Sequence, residues 1–431
     1  MSRKLHKFQT EAEYQAYSAS TEYTTPCVAV VEENNVIYYD YGNNKPQADM
    51  SDYKGEFQES SVGGNYYGKD AITKINYIPT GITNLSNAFN NFTSLEEVTC
   101  KIPNSVTNME STFYNCSSLV TAPDIPSSVT GMTSTFKSCS SLVNAPNIPD
   151  SVTNMTNTFG GCTSIVNAPN IPDSVTSLHN AFGGCSSLVN APEIPNSVTS
   201  MTQTFSGCTS LVTAPEIPSG VTSLRNTFKL CSSLVSAPEI PSGVTNMDST
   251  FYYCSSLVNA PSVIPNSVTN MNGTFQDCSS IVNAPDIPSS VISMEDTFNG
   301  CSSLVNAPDI PNSVPSLYYT FCDCTSLVNA PKIQSSVTNM NGTFQGCTSL
   351  INVPPIPSGV TSMYETFTSC LSLKEVTLLP IVPPNHRNTL NNCPKLESIY
   401  VTDEAVDTYK AATGWSKYAS KFKPLSSKPS E

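Results

Sequence analysis

Residues 151–165 read Ser-Val-Thr-Asn-Met-Thr-Asn-Thr-Phe-Gly-Gly-Cys-Thr-Ser-Ile, and close variants of this stretch recur along most of the chain. With Phe159 as reference, equivalent residues are Phe89, Phe113, Phe136, Phe182, Phe205, Phe228, Phe251, Phe275, Phe298, Phe321, Phe344 and Phe367, and Leu390 continues the series. The spacing is 23 residues, with two intervals of 24, which makes about fourteen rungs. Both extra residues fall in the same part of the repeat, in Val-Thr-Cys-Lys-Ile-Pro (98–103) and in Ala-Pro-Ser-Val-Ile-Pro (260–265). Insertions that collect at one corner are what a coil built from stacked repeats tolerates.

Counted from the Phe, apolar residues recur as Cys at plus three, Leu or Ile at plus six, Ala at plus nine, Ile at plus twelve, Val at plus sixteen and Met or Leu at plus nineteen. Neither a helical nor a strand period describes this. It fits a chain that turns several corners per repeat and points one residue inward on each side. A single rung cannot bury these groups, whereas a stack buries them continuously, at about 1.5–3 kcal/mol for each buried Phe, Leu or Val. The fold expected is therefore a repeat solenoid with short strands and irregular or short helical turns, capped at both ends.

Near both ends of the repeat region the strand segment alternates conventionally, as in residues 95–100, 373–378 and 396–401. In the central rungs it becomes Leu-Val-Asn-Ala-Pro-x-Ile-Pro. Two prolines per rung remove two backbone donors, so the central strands must be very short. The Asn at plus eight (Asn144, Asn167, Asn190, Asn259, Asn283, Asn306, Asn329, Asn352) and the Thr before most of the Phe residues are then expected to bond between rungs.

Composition excludes several function classes. Charged residues make up 13%, and 34 acidic against 20 basic side chains give a net charge of -14, which repels phosphate backbones, so no nucleic-acid partner is expected. No run of 18 apolar residues suggests a membrane span, and Met-Ser-Arg-Lys-Leu-His-Lys-Phe has no apolar stretch behind it to form a secretory signal. Thirteen of the sixteen cysteines recur once per repeat, which reads as a reduced core ladder rather than a disulfide framework. The close pair Cys322 and Cys324 has no second pair, so no metal site is expected. His6, His179 and His386 stand apart in sequence. No HExxH, GxSxG or phosphate-loop pattern appears, so neither a cofactor nor catalysis is expected.

The run Ser-Val-Thr-Asn-Met-x-x-Thr-Phe-x-x-Cys-Ser-Ser-Leu-Val resembles the BspA-like leucine-rich repeats, with their pattern IPxxVTxIxxxAFxxCxxL. The resemblance extends from about Ile82 to Val401, and the Ala-Pro pair departs from the family pattern. It implies a leucine-rich repeat solenoid of the kind found in surface proteins of gut and oral bacteria, and no shared catalytic residues. Residues 402–415, with the single tryptophan Trp415, are similar to the helical tail that follows such repeats in Bacteroidetes-type proteins. There Thr402 or Asp403 could cap a helix, Gly414 could end it, and Val406, Tyr409 and Trp415 could close the last rung.

Three segments are thus expected. Residues 1–78 form an amino-terminal capping or attachment module, 79–401 the solenoid and 402–431 a helical cap and tail. The first segment lacks the repeat. Residues 10–17 read as a short capped helix, and Cys27 to Tyr39 as a hairpin turning at Asn34-Asn35.

Variation between rungs is confined to two places. The positions flanking the Thr-Phe pair carry Tyr114, His179, Arg225, Tyr252, Tyr253, Tyr318, Tyr319 and Tyr364, and these are expected to face solvent as a binding face. Between the prolines, at plus eleven, runs an acidic row: Asp124, Glu193, Glu216, Glu239, Asp286 and Asp309. Such a row is either an anti-aggregation surface or a strip for a basic partner or divalent cation. The function expected is adhesion or recognition of a protein or glycan on a cell surface. A phage tail or head fibre with residues 1–78 docked to the virion is the alternative, and an intracellular scaffold the third.

Overall fold

The computed structural model describes residues 82–429, together with 73–75, 78 and three strands nearer the amino terminus. These are β1 (Lys4–Phe8), β2 (Cys27–Val31) and β3 (Val36–Asp40), in one sheet of order β1-β2-β3. β1 lies parallel to β2, and β2 antiparallel to β3 with Val31 opposite Val36, the hairpin pairing expected from the sequence. The expected helix at 10–17 and the turn at Asn34-Asn35 lie outside the described residues.

Each repeat is a succession of tight turns. In the rung of Phe136 the amide of Thr135 donates to the Met132 carbonyl, Cys139 to Phe136, Leu142 to Cys139 and Val152 to Pro149, all at 3.0–3.1 Å. Every bond closes a four-residue turn, so inward residues recur at intervals of three or four rather than on a strand or helix period. The proline that cannot donate here accepts instead. Two single bridges per rung replace the long strand of a conventional leucine-rich repeat: one column runs Thr121, Asn144, Asn167, Asn190 and another Asn108, Gly131, Asn154, Ser177, Ser200. The Asn row is therefore a backbone pairing site, whereas the expected side-chain ladder is seen at Asn259, which donates to Ser236, and at Asn352, which donates to Asn329.

The chain divides into two compact units, Met1–Leu211 and Val212–Glu431. In the first, β4 (Lys74–Ile75) pairs parallel with β5 (Glu97–Val98), and Phe113, Phe136, Phe159, Phe182 and Phe205 are buried with ring centroids 5.5–5.7 Å apart along the stack. In the second, the rings from Phe228 to Phe367 stack at 5.6–5.8 Å, and β6 (Glu375–Leu378), β7 (Ser398–Val401) and β8 (Phe422–Pro424) form a parallel sheet. β8 was not expected. It comes from the tail and covers the free edge of β7, the protection an exposed edge strand requires.

Polar ladders hold the rungs in register. Within each unit the Thr before a Phe donates to the carbonyl of the Met or Leu one rung back, as Thr158 does to Met132 at 3.0 Å and Thr274 to Met247 at 2.8 Å. The ladder cysteines are more than small apolar fillers. Cys139 donates its thiol to the Phe113 carbonyl at 3.1 Å, and Cys254 donates to Phe228 at 3.1 Å. No disulfide forms among the described residues.

The carboxyl-terminal lid differs from expectation in detail. A 3-10 turn, Asp403–Ala405, precedes the helix Val406–Ala411, and no side chain caps it. Asp403 accepts instead from the Ser426 amide at 3.0 Å, which ties the tail back on itself. Ala405, Tyr409, Trp415 and Phe422 are the buried residues, while Val406 is only half-buried. Tyr409 donates to the Pro380 carbonyl at 2.9 Å and Trp415 to that of Pro384 at 3.0 Å. The proline-rich loop of the last rung, unable to donate, is thereby satisfied by the lid.

Candidate functional site

The positions two before and two after each Phe adopt the left-handed backbone conformation in rung after rung. That is why they are so often Asn, Ser, Gly or Asp: these side chains tolerate a positive φ at lower cost than larger ones. In residues 1–211 the plus-two column reads Asn91, Asn115, Ser138, Gly161, Gly184 and Gly207. In residues 212–431 it carries Leu230 (φ 62°) and Tyr253 (φ 60°), and the minus-two column carries Tyr319 (φ 49°) and Glu365 (φ 58°). Gln203 (φ 60°) is the corresponding large residue of the first unit. Variability at these positions is thus partly a backbone constraint, which the sequence alone does not reveal.

Leu230 and Tyr253 stand in consecutive rungs and remain 41% and 45% exposed. Beside them Lys229 places its ammonium 4.7 Å from the centre of the Tyr252 ring, a cation–π distance, and Tyr252 packs on Tyr253 with centroids 4.8 Å apart. Desolvation, with the neighbouring Tyr253 and the Asp277 and Asp296 carboxylates, raises the Tyr252 hydroxyl above its ordinary pKa. The same carboxylates have raised pKa values, mainly through desolvation.

The expected binding-face residues do not all face solvent. Arg225, Tyr253, Tyr318 and Tyr364 do; Tyr114, His179, Tyr252 and Tyr319 are half-buried, and Cys322, which follows Phe321 as Tyr252 follows Phe251, is buried. Lys137 covers the Tyr114 ring at 5.9 Å, and Arg225 is paired with Asp248 at 3.0 Å. Tyr318 packs edge-on against Tyr319 at 4.6 Å. Tyr319 lies over Gly342, where an added Cβ would stand 2.6 Å from the ring.

All six acidic-row residues, Asp124, Glu193, Glu216, Glu239, Asp286 and Asp309, are exposed. Ser262, which takes the same position in the rung after Glu239, donates to both Glu239 carboxylate oxygens at 2.8–2.9 Å. Among the described residues no group of three or more His, Cys, Asp or Glu side chains is placed to hold a metal ion, and no helix is long and apolar enough to cross a membrane.

Sequence reasoning from variation missed an exposed row that hardly varies. At plus seven, Val120, Val143, Val166 and Val189 in the first unit and Val212, Val235, Val258, Val282, Val305 and Ile351 in the second are all exposed. Their signal was present in the Leu-Val-Asn triplet, where Leu and the following Val cannot both point inward.

The chain belongs to the BspA type leucine rich repeat region family, whose model matches residues 60–189, 179–305 and 271–397. Among solved structures it is similar to a leucine-rich repeat protein from Bacteroides ovatus, with a TM-score of 0.52 and 23% identity over 82% of this chain and 87% of that one. It is also similar to a leucine rich cell surface protein from Faecalibacterium prausnitzii, at a TM-score of 0.43 and 26% identity over 72% of this chain and 77% of that one. No curated protein matches the chain. The family and the Bacteroides ovatus likeness establish the leucine-rich repeat solenoid read from the sequence.

Proposed function

We propose that the chain is a non-enzymatic recognition protein of the adhesion type, which binds a protein or glycan partner through the variable face of its repeats. The contact centre is the patch Lys229, Leu230, Tyr252 and Tyr253. One observation carries this reading: Leu230 and Tyr253 occupy left-handed positions that the corresponding residues Gly207 and Asp277 fill with smaller side chains, yet Leu230 and Tyr253 remain 41% and 45% exposed. Such a conformation costs about 1–3 kcal/mol per residue, and neither side chain lies in the core. A tyrosine pair with a flanking lysine is the composition that interaction hot spots favour. Residues 1–78 serve as the module that attaches the solenoid to its display site. A virion fibre or an intracellular scaffold would present the same surface, and no structural feature favours either.

The full chain applied to a glycan array and to a panel of protein-coated surfaces tests the reading. Retention on a specific subset, lost in Tyr252→Ala/Tyr253→Ala, is the expected result. Retention unchanged in that variant would contradict it.

A further inference from the structure

The exposed aliphatic row contrasts with a second exposed row. At plus seventeen the second unit carries mainly threonine, at Thr222, Thr245, Thr269, Thr338 and Thr361, all solvent-facing. These hydroxyls bond along the stack, Thr245 to the Thr222 carbonyl, Thr269 to Thr245 and Thr361 to Thr338, each at 3.3 Å. At this exposed position the repeat thus mostly uses a polar β-branched residue, with Ile292 an aliphatic exception. At plus seven it uses Val or Ile, which leaves 39–50% of Val212, Val235, Val258, Val282, Val305 and Ile351 in water. The column is in register: the Val235 amide donates to the Val212 carbonyl at 3.4 Å, Val258 to Val235 at 2.9 Å and Val305 to Val282 at 3.2 Å. An exposed apolar strip of this kind, running from Val212 to Val305 and resumed at Ile351 past the half-buried Val328, marks an interaction surface.

Four residues further along four of these rungs stand Glu216, Glu239, Asp286 and Asp309, with Ser262 between them and Lys332 after them; the four carboxylates are exposed, and among the described residues none of them is in an ion pair. Four residues span at most about 14 Å, so the aliphatic and carboxylate rows run side by side. Like charge rules out a second copy of the same face as the occupant, and the net charge of -14 adds to that repulsion. Complementarity instead demands cations alternating with aliphatic groups.

We infer that the two rows of residues 212–431 form a docking track for a cationic peptide segment bearing aliphatic side chains. The inference uses residues other than the tyrosine patch, so either can fail alone.

Fluorescence anisotropy of the full chain with two ten-residue probes tests it, one alternating Lys and Val and the other alternating Lys and Ser. At low salt the Lys-Val probe is expected to bind at least tenfold more tightly than the Lys-Ser probe. Val235→Ser/Val258→Ser/Val282→Ser should abolish that preference. Glu216→Gln/Glu239→Gln/Asp286→Asn/Asp309→Asn should weaken both probes about tenfold and flatten the salt dependence. Neutralising four exposed carboxylates elsewhere, in Glu96→Gln/Glu397→Gln/Glu404→Gln/Asp407→Asn, should leave binding unchanged. Equal binding of the two probes, or equal weakening by both charge-neutralised variants, overturns the inference.

Discussion

The Tyr319 hydroxyl donates to Glu365 Oε2 at 3.3 Å across two rungs, and the ring reaches it by lying over Gly342, the residue between them in the same column. Glu365 also receives Arg387 at 3.4 Å. Two bulky residues in left-handed conformation are thus bridged over a glycine that has both the required φ (63°) and no side chain in the way.

Gly342→Ala should therefore destabilise the protein by about 1–2 kcal/mol, because the new Cβ meets the ring and the backbone is strained as well. Thermal denaturation of the single variants and of Tyr319→Ser/Gly342→Ala separates the two contributions: the steric part should vanish in the double variant. Additive single effects would mean that the ring does not lie there.

Phe251 stacks on Phe228 and Phe275 with centroids 5.7 Å away on each side. Truncation to Ala should cost about 3–5 kcal/mol, read by denaturant unfolding, with amide-exchange protection lost first in the rungs on either side. A loss below about 1 kcal/mol would contradict a continuous aromatic core.

Burial pushes the thiols of Cys139, Cys185 and Cys254 up to about 12, from an unperturbed value of 9.0. The folded state holds these protons after the unfolded chain has released them, so their contribution is fully present below about pH 9 and is lost as the pH rises towards 12. The melting temperature should stay flat with respect to these groups to pH 8 and fall steeply above 9. A thiol reagent should titrate sixteen groups in denatured protein without reductant and few in the native protein at pH 8. A denatured count near zero would mean disulfides.

His386 stacks on Trp415 at 4.6 Å and meets the Thr413 carbonyl at 3.2 Å, with its Nδ1 buried and unpartnered. Desolvation, and to a lesser degree the Lys417 charge, lowers its pKa below 6.5, opposed by the Thr413 contact. Below about pH 6.5 the unfolded chain binds a proton that the folded lid refuses, so the stability of the lid falls with acidification. Fluorescence of the single tryptophan should show an acid transition that His386→Gln removes. An identical transition in the variant would assign it elsewhere.

The interval between Phe residues, the inward Cys, Leu, Val and Met, and the reduced thiols were all legible in the sequence because burial repeats at one period. The left-handed pair around each Phe was not, since Asn, Ser, Gly and Asp at plus two look like surface tolerance until the backbone is seen. Reading exposure from variability also failed for Tyr319, which varies yet packs along the stack, and for the plus-seven valines, which hardly vary yet face water. The lid was legible as a lid. Its strand, Phe422–Pro424, was not, because three residues carry too little pattern to predict.

Leu230→Gly/Tyr253→Gly tests the central claim most directly, because glycine removes the side chains and the backbone strain together. Measured beside the parent on the same glycan and protein surfaces, this variant should melt at a higher temperature and lose specific retention. A variant that melts lower, or binds as the parent does, would show that the patch serves the fold and not recognition.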